Sequence, residues 1–291
     1  MFSKIIIVFS SGLMVLALLS HLSLANEEKN DPPLTYMEVA NSWQKSRVYI
    51  PTSSGGNRIT LSQLLEKMED YNGQRLPVAV YLHGCAGLWF GSDRRALFLT
   101  KLGFIVIAPD SFARPSKKTS CIPSQLRGGL FRGTLIERQE EAAYALSSIS
   151  QIPWVDTDQI LMIGFSEGGN TVATLNENIL RKIRARVIEG WGCNAGWIEY
   201  HGLSTTHNQP VLSLLGAQDP WFRHPSLQGD CSEYMKNDES LSIVYKNTPL
   251  NTVHNLLDWE EPKKDLSKFL CKYFVCSENI LLLEKINEES D

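Results

Sequence analysis

The stretch Gly164-Phe165-Ser166-Glu167-Gly168-Gly169 decides how this sequence is interpreted, because it matches the pattern G-x-S-x-G. An apolar run precedes the serine, and a segment with helical spacing follows it. A serine at so sharp a strand-to-helix turn needs glycine on both sides, where a β-carbon would clash. The turn holds the serine oxygen clear of the sheet, beside the N-terminal end of a helix. We therefore predict that Ser166 is a catalytic nucleophile; a serine in an ordinary strand-helix turn is the alternative.

The same alternation of apolar runs and helical segments extends along most of the chain. The runs are short and almost continuously apolar, as in strands buried on both faces of a parallel sheet. They lie at 47–50, 78–82, 104–108, 160–165, 185–188, 211–215 and 241–245. Helical spacing occurs at 96–102, 134–149, 171–183 and 265–273. This alternation predicts a three-layer α/β fold with a mostly parallel central sheet, formed as a single domain by residues 26–291.

A second motif, Leu82-His83-Gly84-Cys85-Ala86-Gly87, follows an earlier strand run. Acyl transfer requires two hydrogen-bond donors aimed at the oxygen that becomes negatively charged. We expect these donors to be the backbone N–H groups of Cys85 and of Glu167, the residue after the nucleophile. His83 and Gly84 belong to this predicted oxyanion loop, and we expect His83 to brace it rather than to exchange protons.

An acid and a histidine are expected after the serine, each following a later strand. Asp219 comes directly after the run 211–215, and His254 lies downstream of the run 241–245. We predict that His254 is the general base and that Asp219 orients its imidazole. Asp230, Asp238 and Asp258 are alternative acids, but none is as well placed at a strand end. Other histidines fit less well: His201 and His207 precede Asp219, and His224 follows it too closely.

These motifs, with Ala108-Pro109-Asp110-Ser111-Phe112, Gly216-Ala217-Gln218-Asp219 and Val253-His254, resemble the dienelactone hydrolase-like branch of the α/β-hydrolases. The resemblance extends from about residue 47 to residue 274. It implies the α/β-hydrolase fold and the three-residue site named above. Dienelactone hydrolases proper carry a cysteine nucleophile, whereas this chain has Ser166. The departure favours a serine esterase over a dienelactone hydrolase in the strict sense.

The function expected from these residues is hydrolysis of a carboxylic ester or lactone, with a small-molecule ester as substrate and without any metal or organic cofactor. An acyl-peptide or dipeptide hydrolase of the same fold is the main alternative. A non-catalytic binding protein that retains a hydrolase fold is a further alternative. The order of serine, acid, histidine and oxyanion loop argues against it.

The N-terminus has the features of a secretory signal peptide at residues 1–25. Lys4 precedes an apolar run, and Ser23-Leu24-Ala25 supplies small residues at the cleavage positions. We expect export to the periplasm or the medium, with no membrane anchor after cleavage. An uncleaved N-terminal anchor is the alternative, although the apolar run is short for a membrane span.

Composition excludes little but agrees with an enzyme. The 291 residues are 43% apolar and 21% charged, with a formal net charge of −4. Proteins that bind nucleic acid through its phosphates usually carry a basic excess, so we expect no nucleic-acid partner. Four basic residues of the irregular stretch 110–133 could meet an anionic substrate, but a solvated basic loop is the more ordinary interpretation: Arg114, Lys117, Lys118 and Arg127.

All six cysteines lie after the predicted signal peptide, which suggests disulfides in an oxidising compartment. Placement in the predicted fold narrows the pairings, because cysteines near one sheet edge can meet. We predict Cys85–Cys121, Cys193–Cys231 and Cys271–Cys276. A buried free thiol at Cys85 is the alternative for the first pair. Four aromatic residues after strand ends line either a substrate pocket or the core: Trp191, Trp197, Trp221 and Phe222.

Overall fold

The computed structural model describes residues 36–53, 55–66, 75–153, 155–176 and 183–276. The predicted signal peptide, residues 1–25, lies outside these ranges. Within them, eight strands form one sheet in the order β2-β1-β4-β3-β5-β6-β7-β8. Strands β3 to β8 pair in parallel, whereas β1 is antiparallel to both β2 and β4. The strands are β1 (Arg47–Ile50), β2 (Asn57–Thr60), β3 (Leu76–Leu82), β4 (Ile105–Ala108), β5 (Val155–Phe165), β6 (Ala185–Glu189), β7 (Val211–Gly216) and β8 (Leu241–Tyr245).

Helices cover both faces of this sheet, so the predicted three-layer α/β architecture is confirmed. Successive side chains of a strand point to opposite faces. On one face of β3, Val80 packs in a core to which helix α4 contributes Leu146. On the other face, Tyr81 packs in a core that includes Leu99 of α3 and Leu266 of α6. The helices are α1 (Tyr36–Gln44), α2 (Leu61–Glu66), α3 (Phe90–Lys101), α4 (Thr134–Ile149), α5 (Glu167–Thr174) and α6 (Glu260–Tyr273).

The boundaries differ from the prediction where an element begins with polar residues. Helix α5 begins at Glu167 rather than at residue 171, because its first turn is glycine-rich and shows no apolar spacing. Helix α6 likewise begins at Glu260, ahead of the predicted 265. Two acidic residues in its first turn interact favourably with the helix dipole there. Strand β2 is not anticipated from the sequence, because most of its side chains are exposed.

No helix within the described ranges combines the length and the apolar character that crossing a bilayer requires.

Three disulfides join the six cysteines in the expected pairs. The Cα atoms are 5.8 Å apart in Cys85–Cys121, 5.0 Å in Cys193–Cys231 and 5.3 Å in Cys271–Cys276. Cys85 is therefore bonded, which excludes the free-thiol alternative. Three disulfides are compatible with an extracellular location, where thiols are oxidised.

Peptide mapping under non-reducing conditions checks these pairs. We expect three linked peptide pairs, each of which separates when a reductant is added. Since the Cα spacings suit disulfides, oxidation should need no movement of the backbone. Free thiols at Cys85 and Cys121 in protein purified without reductant would contradict the first pair.

Candidate active site

The turn between β5 and α5 places Ser166 in an unusual backbone conformation, with φ 55° and ψ −114°. Positive φ is uncommon outside glycine and costs energy. The neighbouring glycines show why the turn tolerates no bulk. A β-carbon on Gly164 would lie 2.1 Å from the Gly168 carbonyl oxygen, and one on Gly168 would lie 2.0 Å from that of Leu82. Both contacts are with backbone atoms, so no side-chain movement would relieve them.

Two backbone hydrogen bonds fix Ser166 at this turn. Its N–H donates to the carbonyl of Glu189, at the end of β6, over 2.8 Å. Its own carbonyl accepts from the Asn170 N–H over 2.9 Å, which begins helix α5. The turn is therefore held from the neighbouring strand and from the helix at once.

The structure brings Asp219 and His254 together beside this turn. Asp219 follows β7, and its Oδ2 lies 2.6 Å from His254 Nδ1. Its Oδ1 accepts from the Trp221 N–H over 3.0 Å, so both carboxylate oxygens are engaged. The other ring nitrogen, His254 Nε2, is buried and has no hydrogen-bond partner among the described residues.

Aromatic rings hold the imidazole in place. The Trp221 ring stacks on it at 5.2 Å and 25°, and the Phe222 ring lies 5.9 Å away. The ring of Phe165, the residue before Ser166, lies 4.9 Å from the imidazole. These contacts place the histidine against the serine turn.

Two of the three alternative acids, and the other histidines of loops, have partners elsewhere. Asp230 accepts hydrogen bonds from Ser232 and Ser242, and Asp258 pairs with two arginines of α3. The remaining histidines of loops contact neutral groups: His201 bonds to Tyr234, His207 to the Lys236 carbonyl and His224 to Ser226. Within the described ranges, no three His, Cys, Asp or Glu side chains are grouped as metal ligands would be.

The loop after β3 packs directly on the serine turn. A β-carbon on Gly84 would lie 3.0 Å from the Phe165 ring and 3.4 Å from Ser166 Cβ. Cys85 and Glu167 line the same cavity as Ser166. The two expected oxyanion donors and the expected nucleophile therefore line one cavity, although they come from different loops.

His83 is fully buried and braces this loop. Its Nδ1 lies 2.7 Å from the Gly84 carbonyl oxygen, and its Nε2 accepts from the Ser111 N–H over 3.2 Å. Arg138 donates to the His83 carbonyl over 2.7 Å. Burial, together with the positive charge of Arg138, holds the pKa of the His83 imidazole well below its ordinary value. The ring is therefore a neutral hydrogen-bonding group.

A buried ion pair supports the segment that follows His254. Sequence reasoning missed this pair. Arg95 of α3 donates to both carboxylate oxygens of Glu189, each over 2.6 Å. The same carboxylate accepts from the Leu257 N–H over 2.8 Å, three residues after His254. The available signal was Glu189 itself, a charged residue directly after a run of buried apolar ones.

The cavity in front of Ser166 has a volume of ≈ 270 Å³. All four aromatic residues singled out in the sequence line it, together with Phe131 and Tyr200. Most of its lining residues come from the loops that follow β4, β6 and β7. The carboxyl-terminal edge of a parallel sheet is where ligands bind in such folds.

The basic residues after β4 only partly follow expectation. Lys118 and Arg127 are exposed, as in a solvated loop. The solvated-loop interpretation is wrong for Arg114 and Lys117, whose side chains are almost completely buried. Arg114 pairs with Glu137 and Glu141 of helix α4. Ionic partners within the fold explain how the positive charge of Arg114 is tolerated inside.

Comparison with known proteins identifies the family. The sequence profile of the dienelactone hydrolase family matches residues 68–247, more than half of the chain. The chain belongs to the dienelactone hydrolase family. It is therefore a hydrolase, in agreement with the family that the sequence motifs resemble. The matched segment contains Ser166 and Asp219 and ends before His254. No curated protein matches the sequence.

Solved structures of other proteins share the fold. A protein described as "m3DLH" matches with a TM-score of 0.50 and 19% identity, over 70% of this chain and 90% of its own. An acetyl xylan esterase from Paenibacillus sp. R4 matches with a TM-score of 0.50 and 15% identity, over 69% of this chain and 76% of its own.

The neutral state of His83 predicts how the stability of this hydrolase depends on pH. In the unfolded chain His83 binds a proton with its ordinary pKa of 6.5, whereas the folded chain binds it only at much lower pH. The unfolded state therefore gains more protons on acidification, and the free energy of unfolding falls. A His83→Gln variant lacks this contribution. The difference in unfolding free energy between native protein and variant should narrow by about 1 kcal/mol between about pH 7.5 and about pH 5.5.

Urea denaturation of both proteins over that pH range measures the difference directly. Other titrating groups change the unfolding free energy of both proteins alike, so their contributions cancel in the difference. A difference that stays constant or widens on acidification would show that His83 is protonated in the folded state.

Proposed function

We propose that this chain is an exported serine hydrolase that cleaves a carboxylic ester or lactone through an acyl-enzyme on Ser166. The observation that carries the proposal is the 2.6 Å contact between Asp219 and His254, beside a serine held at positive φ. A carboxylate on Nδ1 orients the imidazole so that Nε2 is able to accept a proton.

In the first half of the reaction, Ser166 Oγ attacks the ester carbonyl carbon and His254 Nε2 takes the hydroxyl proton. The carbonyl oxygen becomes negatively charged and accepts hydrogen bonds from the N–H groups of Cys85 and Glu167. Asp219 stabilises the imidazolium that forms, without itself taking the proton. Collapse of this intermediate breaks the ester bond, and His254 returns its proton to the leaving alcohol.

In the second half, water replaces the alcohol. His254 removes a proton from the water as it attacks the acyl carbon, and the same two N–H groups stabilise the second oxyanion. Breaking the acyl bond returns the proton to Ser166 Oγ and releases the carboxylic acid. A lactone follows the same steps, with its acid and alcohol in one product.

Export rests on separate observations. Three disulfides suit an oxidising compartment, and the sequence of residues 1–25 has the features of a cleaved signal peptide. Amino-terminal sequencing of protein from the periplasm or the medium tests this part. We expect the mature chain to begin at Asn26; a chain that keeps residues 1–25 would contradict it.

Labelling with a fluorophosphonate probe tests the nucleophile. The probe phosphonylates only an activated serine, so the mature native protein should take up one label on Ser166 and lose its esterase activity with it. Ser166→Ala is the matched control, and it should take up none. Native protein that neither takes the label nor hydrolyses any of a panel of p-nitrophenyl esters and lactones would refute the proposal.

The triad should act as one unit. Ser166→Ala and His254→Ala should each lower kcat by about 10⁴-fold or more, because neither residue activates the reaction without the other. The double variant should then be scarcely slower than either single variant. Asp219→Asn should lower kcat less than either single variant does, because the nucleophile, the base and the oxyanion donors remain. The kcat of all four variants is measured from initial rates on one ester of the panel.

Circular dichroism controls for folding in each case. Losses that add in the double variant would show that Ser166 and His254 act independently, against the proposed mechanism.

A further inference from the structure

The two proposed oxyanion donors lie on separate loops that are not neighbours in sequence. Cys85 follows β3, and Glu167 follows β5. An oxyanion hole works only when both N–H groups point at one position, and small displacements of a donor weaken it strongly. Something must therefore fix the position of one loop relative to the other.

One segment of a third loop contacts both donor residues. Residues 117–121, which we call the clamp segment, follow β4. Its Cys121 is bonded to Cys85, and its Ser120 hydroxyl donates a hydrogen bond to the Glu167 carboxylate. Lys117 Nζ lies 3.7 Å from the other Glu167 oxygen. The side chains of both donor residues are thus tied to the same five residues.

The groups that make these ties are shielded from water. Ser120 is 1% exposed and Cys121 is 3% exposed. The Lys117 side chain is 1% exposed, and that of Glu167 is 13% exposed. An ionic contact at this depth is screened less than one at the surface. Burial lowers the pKa of Lys117, an effect that the Glu167 carboxylate partly offsets.

The clamp segment is itself anchored to the body of the fold. The Leu130 N–H donates to the Ser120 carbonyl over 2.9 Å, and the Lys117 N–H donates to the Arg114 carbonyl over 3.2 Å. Arg114 is paired with Glu141 of helix α4. Arg138 of the same helix lies 3.8 Å from Glu167. The segment therefore connects the donor residues to a rigid helix.

We infer that the clamp segment holds the Cys85 and Glu167 N–H groups in one geometry, with Cys121 and Ser120 as positioning residues. The inference rests on the proposed serine-hydrolase function. Neither residue transfers a proton in the proposed mechanism. Their effect is on the oxyanion, which forms only in the transition state, so losing them should lower kcat and leave KM nearly unchanged.

Removing the disulfide tests the first tie. Cys85→Ala/Cys121→Ala should lower kcat by about tenfold to a hundredfold, less than the loss of a whole donor, with KM within about twofold. Cys271→Ala/Cys276→Ala is the matched control. It removes a disulfide at the end of α6 that contributes nothing to the cavity, so kcat should not change.

Ser120 provides a second test that leaves all disulfides intact. Ser120→Ala removes the hydroxyl that bonds to Glu167, and kcat should fall by about threefold to tenfold at constant KM. Ser120→Thr keeps a hydroxyl and should restore most of the rate. A purely structural role would not predict this recovery, or a loss confined to kcat.

Fluorophosphonate labelling separates failure of the clamp from failure of the proposed function. All these variants should still take up one label per chain. Labelling should be slower in Cys85→Ala/Cys121→Ala and in Ser120→Ala than in the native protein. Complete labelling with kcat within about twofold of native in both variants would overturn the clamp and leave the hydrolase proposal standing. Native protein that takes no label would overturn both.

Discussion

The close approach of backbone at the Ser166 turn is the constraint on which the rest of the site depends. Ser166 keeps its positive φ because the Glu189 carbonyl accepts its N–H on one side and Gly168 lies against the Leu82 carbonyl on the other. Parallel pairing makes this possible. Leu82 pairs with Gly164, and Glu189 pairs with Phe165, so the strands beside β5 end at the same level as the turn. The sheet register thereby delivers the oxyanion loop and the Glu189 carbonyl to the serine.

The acid and the histidine depend on a second close approach, between the loops that follow β7 and β8. A β-carbon on Gly216 would lie within 3 Å of three carbonyl oxygens of residues 250–253, and the Gln218 N–H donates to the Asn251 carbonyl over 2.6 Å. Asp219 and His254 therefore sit on two loops that are locked to each other by backbone. The Arg95–Glu189 pair extends this support, since Glu189 also accepts from the Leu257 N–H. Removing Arg95 would leave the buried Glu189 carboxylate without its ionic partner, which is strongly destabilising.

Sequence reasoning succeeds where local chemistry determines the structure. Strands appear as apolar runs, and the tight turn at Ser166 requires glycines. Chain order selects Asp219 and His254, whose side chains lie in contact in the structure. It fails where the burial of a charged side chain depends on a distant partner, and where a helix begins with a turn that has no apolar spacing. Helix α5 begins earlier than its apolar spacing suggests, and nothing near Arg95 in the sequence indicates that its carboxylate partner lies 94 residues away. Burial of Lys117 is equally hidden, because a lysine after a strand resembles a solvated loop until its contact with Glu167 is seen.

The same surroundings suit a serine better than a cysteine at position 166. Cys85, which is bonded to Cys121, lines the same cavity as Ser166, and a β-carbon on Gly84 would lie only 3.4 Å from the serine β-carbon. An activated thiolate at position 166 would lie beside a disulfide that it is chemically able to attack, forming a mixed disulfide and releasing the oxyanion loop. A serine hydroxyl does not exchange with disulfides in this way. In an oxidising compartment a free thiol would also be open to oxidation. A disulfide beside the oxyanion loop and a serine at the turn are therefore mutually consistent features of one site.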